Sequence, residues 1–416
     1  MVKEGYKQTE IGVIPEDWDV CCIDFAAKLS SGTTPSRSQE DRYYRNGKYP
    51  WVKTTDLNNS RITATEEKVT QEALDETCLQ VYPPGTVFIA MYGGFNQIGR
   101  TGLLEISAAV NQALIAIQPK ASKLNSGYLL ATLNYRVEHW KSVASSSRKD
   151  PNITSQDVRN FTLPLPDIEE QRAIAATLSD VDALIAALDK LIAKKRHLKT
   201  ATMQQLLTGK KRLPGFGGDW SKKQIGTEID LLTGFPFPSE QYFDSGIKLL
   251  RGSNIKRGVT DWSDDLVQYW PEVTSDISQY VLNEGDIVVA MDGSLVGRSF
   301  ARLSKDDLPA LLLQRVARIR SDKIDMGYLK EWICSKFFTE HCDAVKTVTA
   351  IPHISPGDIR SFTIQVPPNQ EEQRAIATVL SDMDTDIAAL ETRRAKTQAI
   401  KQGMMQQLLT GKVRLV

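Results

Sequence analysis

The chain has 416 residues, 41% of them hydrophobic and 25% charged, with 51 Lys and Arg against 51 Asp and Glu. That length predicts two to four domains, each half long enough to bury a core. No run approaches the roughly 18 apolar residues of a membrane span, and the N-terminus MVKEGYKQTEIGVIPEDW has no apolar signal core, so a cytoplasmic protein without membrane contact is expected.

In chain order, residues 1–166 read as a globular region. Short β-rich runs (TVFIAMYGG, ALIAIQP) alternate with turns at Pro83-Pro84-Gly85 and Gly93-Gly94. Residues 167–212 read as one long helix. Residues 213–368 repeat the first pattern, with DIVVAMDGS after Asn283-Glu284-Gly285 and then RVARIR, and 369–416 form a second long helix. The helices are copies. EEQRAIAATLSDVD from Glu169 aligns without a gap on EEQRAIATVLSDMD from Glu371, at an offset of 202, and 28 of 45 positions to Leu213 and Leu415 are identical.

Asp167 and Asn369 are predicted N-caps, each with Glu three residues on (Glu170, Glu372), which suggests capping boxes. Gly209 and Gly411 are the expected stops. Each helix would span about 60 Å at 1.5 Å per residue. Ile174, Leu178, Val181, Ile185 and Leu188 form a heptad seam matched by Ile376, Leu380, Met383, Ile387 and Leu390. Two such stripes in one chain predict an antiparallel coiled coil; the alternative is that each stripe only caps its own domain.

The globular regions share sparse anchors: Trp18 with Trp220, Gly32 with Gly234, Gly-Arg at 99–100 and 297–298, Gly-Tyr-Leu at 127–129 and 327–329, and DVRNF (157–161) with DIRSF (358–362). One fold used twice is predicted. The fold class is α+β: two similar α/β domains joined by two long antiparallel helices, pseudo-two-fold and annular, since the chain ends where a third repeat would begin.

Phosphate-binding, methyltransferase and nuclease motifs are missing, four His build no nucleophile constellation, and the five Cys lack zinc spacing, so no enzyme, metal or cofactor is expected in this chain. His341 and Cys342, near Cys334 and His353, read as ordinary core or polar positions.

GYKQTEIGVIPEDW, P-x-P-D-x-EEQRAIA, MQQLLTGKKRLPGF and the second EEQRAIA…MQQLLTGK, in this order, make the chain resemble the specificity subunit of Type I restriction–modification systems over essentially its full length. The resemblance implies two target recognition domains, each reading half of a split, asymmetric site in double-stranded DNA. It also implies two modification subunits that use S-adenosylmethionine, and restriction subunits that use ATP and Mg. This chain would supply the address.

Base reading needs forked donors and amides near base edges, with cations and hydroxyls on phosphates. Candidates in the first domain are Lys53, Thr54, Asn58, Arg61, Asn96, Gln97, Arg100, Arg148 and Lys149, with Arg37, Arg42, Arg45 and Lys48 upstream. In the second they are Arg251, Asn254, Lys256, Arg257, Asp292, Ser294, Arg298, Lys346 and His353. Arg100 and Arg298 are shared, so a role in the fold or on a phosphate competes with base reading. Leu184, Leu191 and Leu198 form a second apolar row, and Met203 and Leu206 recur as Met405 and Leu408; together they are candidate docking faces for the modification subunits, the alternative being that they simply widen the core stripe. The competing function is a non-catalytic tandem-repeat scaffold or adaptor without DNA specificity.

Overall fold

A computed structural model describes residues 3–94, 96–144 and 152–415. Contacts divide the chain into two units, residues 1–189 with 392–416, and residues 190–391. Both long helices are thus shared between units, a partition that cuts across the sequence boundaries 1–166, 167–212, 213–368 and 369–416. Among the described residues no helix is long and apolar enough to cross a membrane.

In the first unit a five-stranded sheet has the order Ala27–Ser31, Leu114–Pro119, Val87–Ala90, Thr101–Leu104, Ser60–Ile62. All neighbours are antiparallel except the last pair. A second sheet pairs Tyr49–Val52 in parallel with Ala108–Val110 and is flanked by Glu67–Val69 and Val81–Tyr82. Val52, Phe88, Leu104, Val110 and Leu114 fill one apolar cluster on the second-sheet side. Because strand residues alternate faces, Val87, Ile89, Ile115 and Ile117 join another, which contains residues of the helices Ser126–Tyr135 and Val137–Ala144, of the start of the first long helix and of the end of the second.

The second unit repeats this plan. Its five-stranded sheet runs Asp230–Thr233, Val316–Arg320, Ile287–Ala290, Phe300–Arg302, Arg257–Gly258, and its smaller sheet has Ile247–Leu250 parallel to Ala310–Leu312. The shared anchors now have physical reasons. A Cβ on Gly32 would lie 2.1 Å from the Asn111 carbonyl oxygen, and one on Gly234 2.1 Å from that of Leu313. Tyr128 and Tyr328 donate to the backbone oxygens of Pro164 (2.9 Å) and Gln365 (2.7 Å). Asp157 and Asp358 complete capping boxes with Thr154 and Ser355.

The long helices span Ile168–Leu207 and Gln370–Leu408. Asp167 accepts from the Glu169 and Glu170 amides, and Asn369 from the Glu371 amide. Gly209 and Gly411 take φ of +68° and +67°, and bonds from Lys211 N to Gln205 O and from Val413 N to Gln407 O close the C-terminal turns. The expected capping boxes at Glu170 and Glu372 do not form. Both carboxylates are fully buried and engaged elsewhere: Glu170 accepts from Trp18 Nε1 (3.0 Å) and Arg414, and Glu372 from Arg212. Trp18 is fully buried, and Trp220 packs beside Gly209.

Within each unit the helix segments run antiparallel. Asp182 pairs with Lys401 and Asp189 with Arg394 in the first; Lys195 pairs with Asp386, Arg196 with Glu391 and Lys199 with Asp384 in the second. The seam divides its labour. Ile174 and Leu178 belong to the core of the first domain, and Ile376 and Leu380 to that of the second, so the outer stripe caps its own domain. Leu188 and Ile387 are buried farther along, while Val181, Ile185, Met383 and Leu390 are half-buried.

Candidate nucleic-acid interface

Loops at one end of the five-stranded sheet of the second unit enclose a cleft of about 440 Å³, lined by Ser253, Lys256, Asp292, Ser294, Gln314 and Arg315 among others. Three elements bring these together. The short 3₁₀ turn Gly252–Asn254 follows strand Ile247–Leu250. Asp292–Ser294 follows strand Ile287–Ala290, and Gln314–Arg315 is the turn before strand Val316–Arg320. Of the residues predicted from sequence, Lys256, Asp292 and Ser294 meet here, and His353 flanks the cleft through a backbone bridge with Asp292. Gln314 and Arg315 escaped the sequence reading; the only cue was a polar turn between two apolar runs.

Other candidates prove to be occupied by the fold. Asn254 is fully buried; its side chain accepts from the Arg251 amide and donates to the Asp261 carbonyl (2.9 Å), so it locks a loop and cannot reach a base. Arg251 is turned onto the Leu266 carbonyl. Arg298 places both terminal nitrogens on Asp343 (3.1 and 2.7 Å), which uses its fork, and Lys346 binds the same carboxylate at 2.6 Å. Together they pull the Asp343 pKa down to about 2. Arg257 is exposed on an edge strand and has no ion-pair partner among the described residues.

In the first unit the matching turns carry Thr54, Asn58, Tyr92, Gln112 and Ala113. The correspondence is fixed by backbone bonds: the Met91 amide donates to Ala113 O as the Met291 amide does to Arg315 O, each at 2.9 Å. Thr54 is half-buried, whereas Asn58, Tyr92, Asn96 and Gln112 are exposed. Lys53 is held by Glu67 (2.8 Å), and Arg61 by Glu105 and Ser179, so neither is a free reading group. Arg100 donates to the Asn96 carbonyl (2.9 Å) and braces the turn that presents Asn96 and half-buried Gln97. Arg148 and Lys149 lie outside the described residues. A separate cleft of about 980 Å³ is lined by Arg37, Arg42 and Arg45, each paired with an acid: Glu67, Glu76 and Asp41.

The docking candidates separate as cleanly. Leu184 in the first unit and Leu191 and Leu198 in the second are exposed. Leu206 is buried in the second domain's core with Met203 packed against it, and Met405 and Leu408 are buried in the first domain's core, so this patch offers no free surface. Its apolar spacing served the helix ends where they meet the domains. Ile400, which matches Leu198 across the repeat, is half exposed and was missed.

The family model for the Type I restriction modification DNA specificity domain matches twice, over residues 15–195 and 219–402. The MjaVIII specificity subunit of Methanocaldococcus jannaschii is 26% identical over 99% of this chain and 97% of its own length. The EcoAI specificity subunit of Escherichia coli is 35% identical over 38% of the chain and 27% of its length. The crystal structure of the S subunit from M. genitalium superposes with a TM-score of 0.61 at 14% identity, covering 94% of this chain and 96% of that one, which shows a shared fold. With the specificity domain present twice across most of its length, the chain belongs to the Type I restriction–modification DNA specificity family.

Proposed function

We propose that this specificity subunit reads a bipartite, asymmetric DNA site, one half with each globular domain, while the two long helices set the spacer and dock the modification subunits. The observation that carries this is a common backbone with unlike side chains at its loop tips. Asp292 and Arg315 stand in the second domain where Tyr92 and Ala113 stand in the first. A fold-maintaining role would favour the same residues in both places, whereas two different half-sites require different ones.

Each domain is also built as a cassette. Asp19–Cys22 pairs antiparallel with Thr162–Leu165, and Ser221–Gln224 with Thr363–Val366, so each domain's two ends leave from one two-stranded sheet. For docking, Leu198 and Ile400 occupy matched helix positions, and both are exposed, which suits two copies of one partner. In this reading the S-adenosylmethionine belongs to the modification subunits, ATP and Mg to restriction subunits, and the present chain contributes no catalytic group.

Methylome mapping in cells that express the chain with its modification subunit tests all three parts. Replacing residues 19–165 with another member's first domain is expected to change one half-site only. Two heptads inserted in both helices should lengthen the spacer, and L198E/I400E should abolish methylation without lowering the melting temperature. A swap that alters both half-sites, or neither, contradicts the proposal.

A further inference from the structure

We infer that Arg315 reads a guanine in the half-site of the second domain, with Asp292 as its positioning residue; this rests on the proposed role of that domain as a DNA reader. Arg315 sits at the tip of the turn between strands Ala310–Leu312 and Val316–Arg320, with its side chain 63% exposed at the mouth of the 440 Å³ cleft. Its φ of +65° lies in the left-handed region, which is costly for a non-glycine residue and persists where surrounding structure imposes it. Here the Met291 amide donates to the Arg315 carbonyl and pins the turn.

The guanidinium is oriented but not consumed. One terminal nitrogen meets Asp292 Oδ2 at 3.2 Å. Asp292 is itself fixed, since its backbone bridges to His353 and the next amide, Gly293 N, donates to Pro352 O at 3.0 Å. Nε and the second terminal nitrogen of Arg315 have no hydrogen-bond partner among the described residues, which leaves a planar pair of donors matched to guanine O6 and N7. Arg298, saturated by Asp343, has no such capacity. An ion pair this exposed is worth little, so reorientation toward DNA is inexpensive. The fold does not demand either residue, because the same turn in the first domain carries Ala113 opposite Tyr92 with the backbone bond intact.

The test uses the chain assembled with its modification subunit. The wild-type methylome gives the site, and methylation rates are then measured on duplexes that differ from it by one base pair. Wild type should prefer a guanine at one position of the second domain's half-site by about tenfold or more. R315A should bring that ratio close to one and leave discrimination throughout the other half-site unchanged; R315K, which keeps the charge but loses the fork, should resemble R315A. Because the readout is a ratio on one enzyme, a general loss of activity does not mimic the effect. An unchanged ratio in R315A, or wild-type discrimination in R315K, overturns the inference while the bipartite reading stands. If the wild-type complex methylates no bipartite site, the underlying reading fails instead.

Discussion

The two units join their helices by different chemistry. In the first, Lys401 meets Asp182 at 2.6 Å, and the neighbouring domain helix presents Leu130 and Ala131 against an apolar core. In the second, the matched Lys199 and Asp384 are drawn into a four-charge network with Lys330 and Glu331, the latter almost fully buried. Burial opposes the charge on Lys330, yet Cys334, Glu331 and Asp384 around it raise its pKa. Burial also works against the Asp384 carboxylate, but Lys199 and Lys330 hold its pKa below the ordinary value. The difference teaches that the repeat preserves helix geometry while leaving each junction free to be apolar or ionic.

The largest expected effect breaks that network on one side. K330M removes the hydrogen bond on Glu331 and leaves its buried carboxylate only Lys199 at 3.7 Å, which should cost roughly 3 kcal/mol in chemical denaturation. The double change K330L/E331A, which installs the residues of the first unit, should be neutral or stabilising, since buried ion pairs are often matched by well-packed apolar groups. If the double variant loses as much as the single one, the network is a net stabiliser and the comparison between junctions fails.

A smaller effect distinguishes the domains by pH. The pKa of Asp343 is lowered from 3.8 to about 2 by Arg298 and Lys346, and Arg100, the counterpart of Arg298, has no carboxylate partner among the described residues. A depressed carboxylate adds stability above its unfolded pKa and loses it as pH falls through the folded one. D343N should therefore be less stable than wild type at pH 6, and the gap should close between about pH 4 and 2. A gap independent of pH would mean that the ion pair is not its source.

How much was legible in the sequence follows from what each residue answers to. Helix limits, glycine stops and the antiparallel seam were readable because they depend on local chemistry and periodicity. The capping boxes were misread because Glu170 and Glu372 satisfy distant Arg414 and Arg212 instead of their own helix starts. Met405 and Leu408 looked like a surface patch because periodicity shows that a face is apolar, not what covers it. Asn254 and Arg298 had the right chemistry for DNA but were already used by the fold, and Arg315 drew no notice because a turn's sequence does not reveal that it faces Asp292.

The central claim is that the divergent loop tips, carried on one backbone, hold the address. The most direct measurement is the methylome of a chain in which residues 19–165 replace residues 221–366, so that both positions carry the first domain. The expected result is a site composed of two copies of the first half-site, with the second half-site gone. An unchanged asymmetric site would contradict it.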